Sequence, residues 1–498
     1  MRIRNLTLSL LFNIITLTLT AQNTTNFEWP ENEITPIFKE FVTAYNTNDL
    51  KKLQAFTKKH YEKDFIKSAA YWPSVFADFG QIKPFQVAKE WEKKNRLAIW
   101  FQGKNTKGWV MIMLRMNNDN TKIMGKSVMR GERPSGDLPP YTPISSDEMN
   151  PYLKSYLKKL HKLDRFSGSV LVAKGSTILF EQTYGKSNKK LNKNNDSNTS
   201  FNIASTTKTF GAVAIAKLEE QGKLKFTDPI SKFIPEYPKD IANQVTIHHL
   251  LTHTSGIEID DYKPFNLDAR KAKSMNDLVK SQMKHIDSMN EGRRKNFKVL
   301  NEYDYSNENF ALLGAIIERV SGMSYAKYIE QNIFDPLNMK NSFADIHKVS
   351  NHQNKAIGYT YKDTEANFIG GTRHENGGVG SFLGPAGGIY STTRDLYTYF
   401  KAINNHTIIN KETQELLHKK QVEIYVNEDV SFHYGYGFSV SRKGKLVTIG
   451  HGGVYPGVGS RFEYYPETGH YVIILSNYGS MAGSVVADHI NDLLTSNN

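Results

Sequence analysis

The stretch F-N-I-A-S-T-T-K-T-F, Phe201 to Phe210, decides how the rest of the chain is read. It sets Ser205 and Lys208 three residues apart. On a helix that spacing is close to one turn, so the side chains become neighbours and an amine can serve as base to a hydroxyl. Spacing alone selects nothing, because Ser-x-x-Lys recurs at Ser155–Lys158, Ser187–Lys190, Ser281–Lys284 and Ser324–Lys327. Context separates them. Ser155 and Lys158 share a segment with Lys154, Lys159 and Lys162, as on a solvated helix face. Ser187 and Lys190 fall in an Asn- and Lys-rich loop, and Ser281 and Lys284 in a charged helix. Ser324 follows Gly322 and reads as a helix N-cap. Ser205 instead follows an extended stretch and opens an apolar run with Phe210, Val213, Ile215, Ala216 and Leu218. A serine at a helix start has a free backbone N–H. A lysine among apolar neighbours is desolvated, which lowers its pKa toward that of a usable base. Read alone, the segment fits equally well a Ser205 that caps the helix and a Lys208 that snorkels to water.

Two later stretches change that balance. Y-D-Y-S-N-E-N-F-A-L-L-G, from Tyr303, puts Tyr305-Ser306-Asn307 at the start of another apolar helix. T-I-G-H-G-G-V-Y-P-G, from Thr448, puts His451-Gly452-Gly453 at the end of a strand, where glycine lets a substrate lie against the backbone. Tyr-x-Asn by itself is cheap, since Tyr425-Val426-Asn427 also matches. The three motifs in this order and these contexts are not.

At this point the sequence resembles the serine hydrolases of the β-lactamase and penicillin-binding type, nearest to the group holding class C β-lactamases, D-aminopeptidases, D,D-carboxypeptidases and related esterases. Further stretches carry the resemblance: F-S-G-S-V-L-V-A from Phe166, I-H-H-L-L-T-H-T-S-G-I from Ile247, F-D-P-L-N-M-K-N-S from Phe334, P-A-G-G-I-Y-S-T-T-R-D-L from Pro385 and Y-G-Y-G-F from Tyr434. It runs from about Phe166 to the C-terminus. It implies an α+β fold, an antiparallel sheet flanked by helices plus a helical domain, with the catalytic cleft between them. It also implies roles. Ser205 is the nucleophile and Lys208 its partner. Tyr305 relays protons if the Lys208 charge lowers its pKa, and then protonates the leaving group. Asn307 orients the substrate or Lys208. The backbone N–H groups of Ser205 and Val454 form an oxyanion hole, each donor worth about 3 kcal/mol in the transition state. The reaction passes through an acyl-enzyme on an amide, peptide or ester carbonyl, with no cofactor and no metal.

The departure is at the third motif. Many β-lactamases carry Lys-Thr-Gly or Lys-Ser-Gly where this chain has His451-Gly452-Gly453. A fixed ammonium is replaced by an imidazole, expected to be of variable charge. That argues against an efficient β-lactamase and for the peptidase- and esterase-like relatives, many of which use His there. Arg461 is the candidate for a nearby cation.

Composition bounds the alternatives. The chain has 498 residues and no cysteine, which excludes thiol catalysis, disulfides and cysteine zinc sites. A formal charge of +13 could serve nucleic acid, but the lysines are dispersed and no nucleic-acid motif is present, so a solvated face is the reading. Residues 1–21 read as an export signal: Arg2 and Arg4, an apolar run from Leu6 to Leu19, and Ala21 for cleavage. The expected mature protein is periplasmic or secreted, without stable membrane insertion. Its expected partner is a small-molecule or peptide substrate, peptidoglycan-derived in one version. No motif encodes an oligomeric state.

Residues 27–133 read as a smaller α+β domain. Ile34, Ile37, Phe38, Phe41, Val42 and Tyr45 form one helical stripe, and Asp49 caps a second helix carrying Leu50, Leu53 and Phe56. Strands follow at Leu97 to Phe101, Trp109 to Met116 and Ile123 to Met129, the last two joined by a turn at Asn117 to Asn120. This order weakly resembles the NTF2-like cone, which can hold a ligand or a dimer partner; packing or spacing is the simpler role. Residues 134–146 form a proline-rich linker, and 147–498 the hydrolase-like domain. That domain opens with a helix from Asp147 to Leu163 and two strands around Gly175. Its middle, Phe226 to Asn427, reads as mainly helical. Strands return at Gly435 to Ser441, Lys445 to Ile449, Ser460 to Tyr465 and Tyr471 to Ser476, before a last helix at Val485 to Leu494.

Two rivals remain from the residues. His249-Leu-Leu-Thr-His253, with His248, has metal-ligand spacing but lacks the glutamate of His-Glu-x-x-His. A non-catalytic domain that senses peptidoglycan or peptides is the other, along with a weak β-lactamase. The Gly-x-Ser-x-Gly elbow of α/β-hydrolases is absent.

Overall fold

Proline and glycine punctuation, and two faces of apolar residues on single strands, set the layout. The structure, a computed structural model, describes residues 27–64, 72–131, 146–257, 272, 274–287, 297–345, 349, 352–360, 374–375, 384–426, 430–443, 445–479 and 482–495. The export signal and nearly all of the linker lie outside the described residues.

The first unit packs helices against a four-stranded antiparallel sheet. Helix Thr35–Asn46 buries Phe38, Phe41, Val42 and Tyr45, and helix Leu50–His60 buries Leu53 and Phe56. The Asp49 carboxylate caps the second helix, accepting from the Lys51 N–H at 2.9 Å. Strands Arg96–Gly103, Trp109–Met116 and Ile123–Gly131 follow as expected. A third helix, Trp72–Phe79, and an edge strand, Ile82–Val87, were not anticipated. The helix was legible: Trp72, Val75, Phe76 and Phe79, all buried, stand at i, i+3, i+4 and i+7. The strand was hidden by Pro84, which sits where the register slips, a position that needs no N–H.

The larger sheet has eight antiparallel strands. In spatial order they are Val422–Val426, Val430–Tyr434, Ser439–Lys443, Leu446–Tyr455, Val458–Tyr465, His470–Ser476, Gly168–Lys174 and Thr177–Tyr184. The Gly168–Lys174 strand pairs with His470–Ser476, joining segments 300 residues apart, as the two-ended strand pattern suggested. Its central strands are apolar on both faces because both are covered. Val170, Val172, Val472 and Ile474 pack with helices Ser146–Lys162 and Ala482–Thr495. Leu171, Ala173, Ile473 and Leu475 face the main core. The first unit rests on the Ala482–Thr495 helix, behind the sheet: Val485 joins its core, and the Trp109 indole donates to Asp492 at 3.2 Å.

One expected strand is corrected. Gly435 to Ser441 is a turn followed by strand Ser439–Lys443. Gly437 has φ +75°, and a Cβ there would lie 2.6 Å from the Ala212 Cβ. The chain must bend at this glycine to pack on the Thr207–Glu220 helix. That helix runs through the main core, with Phe210, Val213, Ile215 and Leu218 fully buried. Helix Asn307–Ser321 lies beside it.

Candidate active site

Ser205 sits in a tight turn, Ala204–Thr206, that leads into the Thr207–Glu220 helix. Ala204 holds φ +42°, a left-handed conformation that costs a non-glycine residue about 1 kcal/mol or more. The surroundings impose it. The Ala204 N–H donates to Asn202 Oδ1 at 2.8 Å, and the Ile203 N–H to the Ile389 carbonyl at 3.0 Å. The Ser460 hydroxyl donates to the Ile203 carbonyl at 2.7 Å and lies 2.9 Å from Thr206 Oγ1.

Strand Leu446–Tyr455 runs past this turn. Its neighbour Ser439–Lys443 pairs with it only as far as Gly450. Beyond that point the Ala204–Thr206 turn abuts the strand. A Cβ on Gly453 would stand 2.3 Å from the Ile203 carbonyl oxygen and 2.8 Å from the Ser205 nitrogen. The glycine of the third motif is therefore required by the protein's own backbone.

Ser205 does not cap its helix. Its Oγ accepts from the Tyr305 hydroxyl at 2.8 Å and from the Lys208 amine at 3.2 Å. Nor does Lys208 snorkel: it is fully buried. Its Nζ also donates to Asn307 Oδ1 at 2.7 Å and to the Ala386 carbonyl at 2.9 Å, and stands over the Tyr305 and Phe310 rings. Burial lowers its pKa to about 7, against a smaller opposing pull from the Glu308 carboxylate. Among the described residues, no formal charge balances the ammonium at hydrogen-bond distance, so desolvation dominates.

The Ala386 carbonyl was not singled out from the sequence, although P-A-G-G-I-Y-S was. It reaches Lys208 because two helices carry glycine where the Gly384–Ala386 turn crosses them. A Cβ on Gly211 would lie 2.9 Å from the Pro385 Cβ, and one on Gly314 2.7 Å from its Cγ.

Tyr305, Ser306 and Asn307 enter from the start of helix Asn307–Ser321. Tyr305 is 41% exposed, so the phenol lies between Ser205 and solvent. The Ser306 hydroxyl donates to Glu308 Oε2 at 2.8 Å and its N–H to His253 Nδ1 at 3.1 Å. The rival Tyr425 is on an edge strand and 52% exposed.

His451 is not the variably charged group that the motif suggested. It is 7% exposed, and burial, with the Lys208 charge second, pushes its pKa down to about 3. Its Nδ1–H donates to the Gly452 carbonyl at 2.6 Å, which leaves Nε2 to accept from the Tyr434 hydroxyl at 2.9 Å. Tyr434, a second residue missed from the sequence, thus helps to fix the tautomer of this neutral imidazole. Arg461 supplies only the smallest of the effects that lower the His451 pKa. It pairs across the strands with Gly452, and its Nε donates at 2.7 Å to Glu463, which also accepts from Tyr465. Tyr465 belongs to the core behind the sheet. Val454 is half-exposed beside Gly453.

The remaining candidates disperse. Ser155 and Lys158 are exposed on helix Ser146–Lys162. Ser187 is buried and donates to the Asn194 carbonyl, while Lys190 is exposed. Lys284 is exposed. Ser324 caps its helix, accepting from the Lys327 N–H at 3.3 Å. Of the clustered histidines, His248 bonds the Tyr436 hydroxyl at 2.7 Å and His249 closes a capping box with Thr246. His253 ends that helix with φ +58°.

Comparison with known proteins agrees with this architecture. The family profile described as Beta-lactamase matches residues 153–497. Penicillin-binding protein 4* of Bacillus subtilis (strain 168) is 30% identical over 337 residues, 66% of this chain and 71% of that protein. The structure of a penicillin binding protein from Bacillus halodurans is 28% identical, with TM-score 0.57, covering 68% of this chain and 99% of that one. The octameric penicillin-binding protein homologue from Pyrococcus abyssi is 26% identical, with TM-score 0.61, covering 69% and 77%. The β-lactamase/transpeptidase-like fold expected from the motifs is the fold observed. With the family profile matching well over half of its length, the chain belongs to the β-lactamase family.

Proposed function

We propose that the protein is a serine hydrolase that forms an acyl-enzyme at Ser205 on an amide, peptide or ester carbonyl. The observation that carries this is the convergence of Lys208 Nζ and the Tyr305 hydroxyl on Ser205 Oγ, with the lysine pKa at about 7. A base near the working pH has both a neutral fraction and a driving force to take the proton.

In the neutral-amine state the Ser205 hydroxyl donates to Lys208. Oγ attacks the carbonyl carbon, its proton passes to Nζ, and the carbonyl electron pair moves to oxygen. The N–H groups of Ser205 and Val454 receive that oxyanion. Collapse breaks the bond to the amine or alcohol, which takes a proton from Tyr305. Tyr305 is restored from the proton that Lys208 holds. Water enters by the reverse route and frees the acid. Asn307 Oδ1, 2.7 Å from Lys208 Nζ, can accept from the amine in either protonation state.

The neutral His451 supports a substrate that is not anchored there by a free carboxylate. Esters, amides and internal peptide bonds fit better than a β-lactam or a C-terminal D,D-dipeptide. The pattern of residues 1–21 supports action outside the cytoplasm. A panel of ester, amino-acid amide, peptidoglycan stem peptide and β-lactam, with Ser205→Ala as blank, tests the reading. Turnover of esters or amides that vanishes in the blank supports it. Inertness toward all four, or activity retained in the blank, rejects it.

A further inference from the structure

His253 ends helix Ile247–Thr252 in the left-handed conformation, φ +58°. Glycine is the cheapest residue for such a helix end, so a fully buried imidazole there calls for a reason beyond the backbone. Its contacts supply one. The His253 carbonyl accepts from the Asp304 N–H at 2.8 Å, and Nδ1 accepts from the Ser306 N–H at 3.1 Å. These two bonds grip the chain on either side of Tyr305. The imidazole lies against the Tyr305 ring, 4.4 Å between centroids and 32° between planes. Phe310 and Tyr434 pack on the same imidazole at 5.3 and 5.0 Å.

We infer that His253 is a positioning residue that holds the Tyr305 phenol at Ser205 for proton delivery to the leaving group. The inference rests on the hydrolase reading above. Accepting at Nδ1 requires a ring without a proton there, hence the neutral tautomer with hydrogen on Nε2. Burial first, then the Lys208 charge, keep the ring well below its ordinary pKa, in that neutral form.

Two variants separate the clamp from the ring. His253→Asn tolerates the left-handed backbone and offers Oδ1 to the Ser306 N–H, but has no ring. His253→Phe keeps a ring face and leaves the Ser306 N–H without its acceptor. Each is assayed with p-nitrophenyl butyrate, whose leaving group needs no proton, and with ethyl butyrate, whose leaving group does. Circular dichroism checks that each folds. The expected result is a loss in kcat/KM, which reports acylation alone, of about 10- to 100-fold on ethyl butyrate, the scale of a slightly misplaced catalytic group, with a much smaller loss in kcat/KM on the nitrophenyl ester. Tyr305→Phe shows the same leaving-group dependence, and adding His253→Asn to it costs little more. Equal losses on both esters, or full additivity with Tyr305→Phe, overturn the inference while leaving the hydrolase reading intact. A wild-type protein that hydrolyses neither ester and takes no fluorophosphonate on Ser205 overturns the hydrolase reading and this inference with it.

Discussion

Lys208 donates to the backbone carbonyl of Ala386 at 2.9 Å, so its amine is held by a main-chain acceptor as well as by Ser205 and Asn307. Hydrogen bonds of this kind favour the charged amine, yet burial outweighs them and sets the pKa near 7. Because the neutral amine is the base, kcat/KM rises with pH and levels above about 7. The Glu308 carboxylate raises the lysine pKa, so Glu308→Gln moves that acid limb to lower pH. A pH–rate profile with the limb moved upward contradicts this electrostatic account.

The same pKa is a stability statement that needs no substrate. An unfolded lysine keeps its proton to about pH 10.4, whereas the folded Lys208 releases it near 7. Between those values the unfolded chain binds more protons, so this group's contribution to stability improves as pH rises. Below pH 7 it is flat at its least favourable. Relative to Lys208→Met, the wild type gains up to about 1.4 kcal/mol per pH unit through that window. Thermal melts of both proteins at pH 7 and 9 check the sign: the gap between them moves in favour of wild type at pH 9.

Much of this was legible in the sequence, for identifiable reasons. Ser205, Lys208, Tyr305 and Asn307 stand at the starts of apolar helices, and apolar helix starts are readable. The Gly168–Lys174 strand was readable because its run is apolar on both faces. What escaped reading depends on contacts between distant segments. The charge of His451 depends on its burial, and its tautomer on Tyr434, 17 residues away on another strand. The orientation of Arg461 follows from strand alternation, which turns it toward Glu463 and the rear core. The Ala386 carbonyl carries no side-chain signature at all.

Gly453 gives a steric test. Gly453→Ala forces a Cβ against the Ile203 carbonyl and the Ser205 nitrogen. We expect a loss of about 1–3 kcal/mol of stability and a fall in kcat of roughly 100-fold as Ser205 shifts. Gly125→Ala, which meets only the far end of the Arg115 side chain, leaves both unchanged. Calorimetry and ester kinetics on the two variants check the contrast.

Several buried histidines make acid sensitivity a further expectation. Burial lowers the pKa of His451, His489 and His418 to about 3 and that of His470 to about 4. Unfolded histidines bind protons near 6.5, so as pH falls from 6.5 toward 3 the unfolded state gains protons that the folded state refuses. Stability therefore falls through that window, by up to about 1.4 kcal/mol per pH unit for each ring. Melting curves at pH 7.5 and 5.0 show the drop, and His489→Gln makes it shallower.

The most direct measurement of the central claim is mass spectrometry of the protein after reaction with a fluorophosphonate. The account predicts one adduct, on the peptide containing Ser205, formed faster as pH rises through about 7 and lost in Ser205→Ala. An adduct on another serine, or none at any pH, contradicts it.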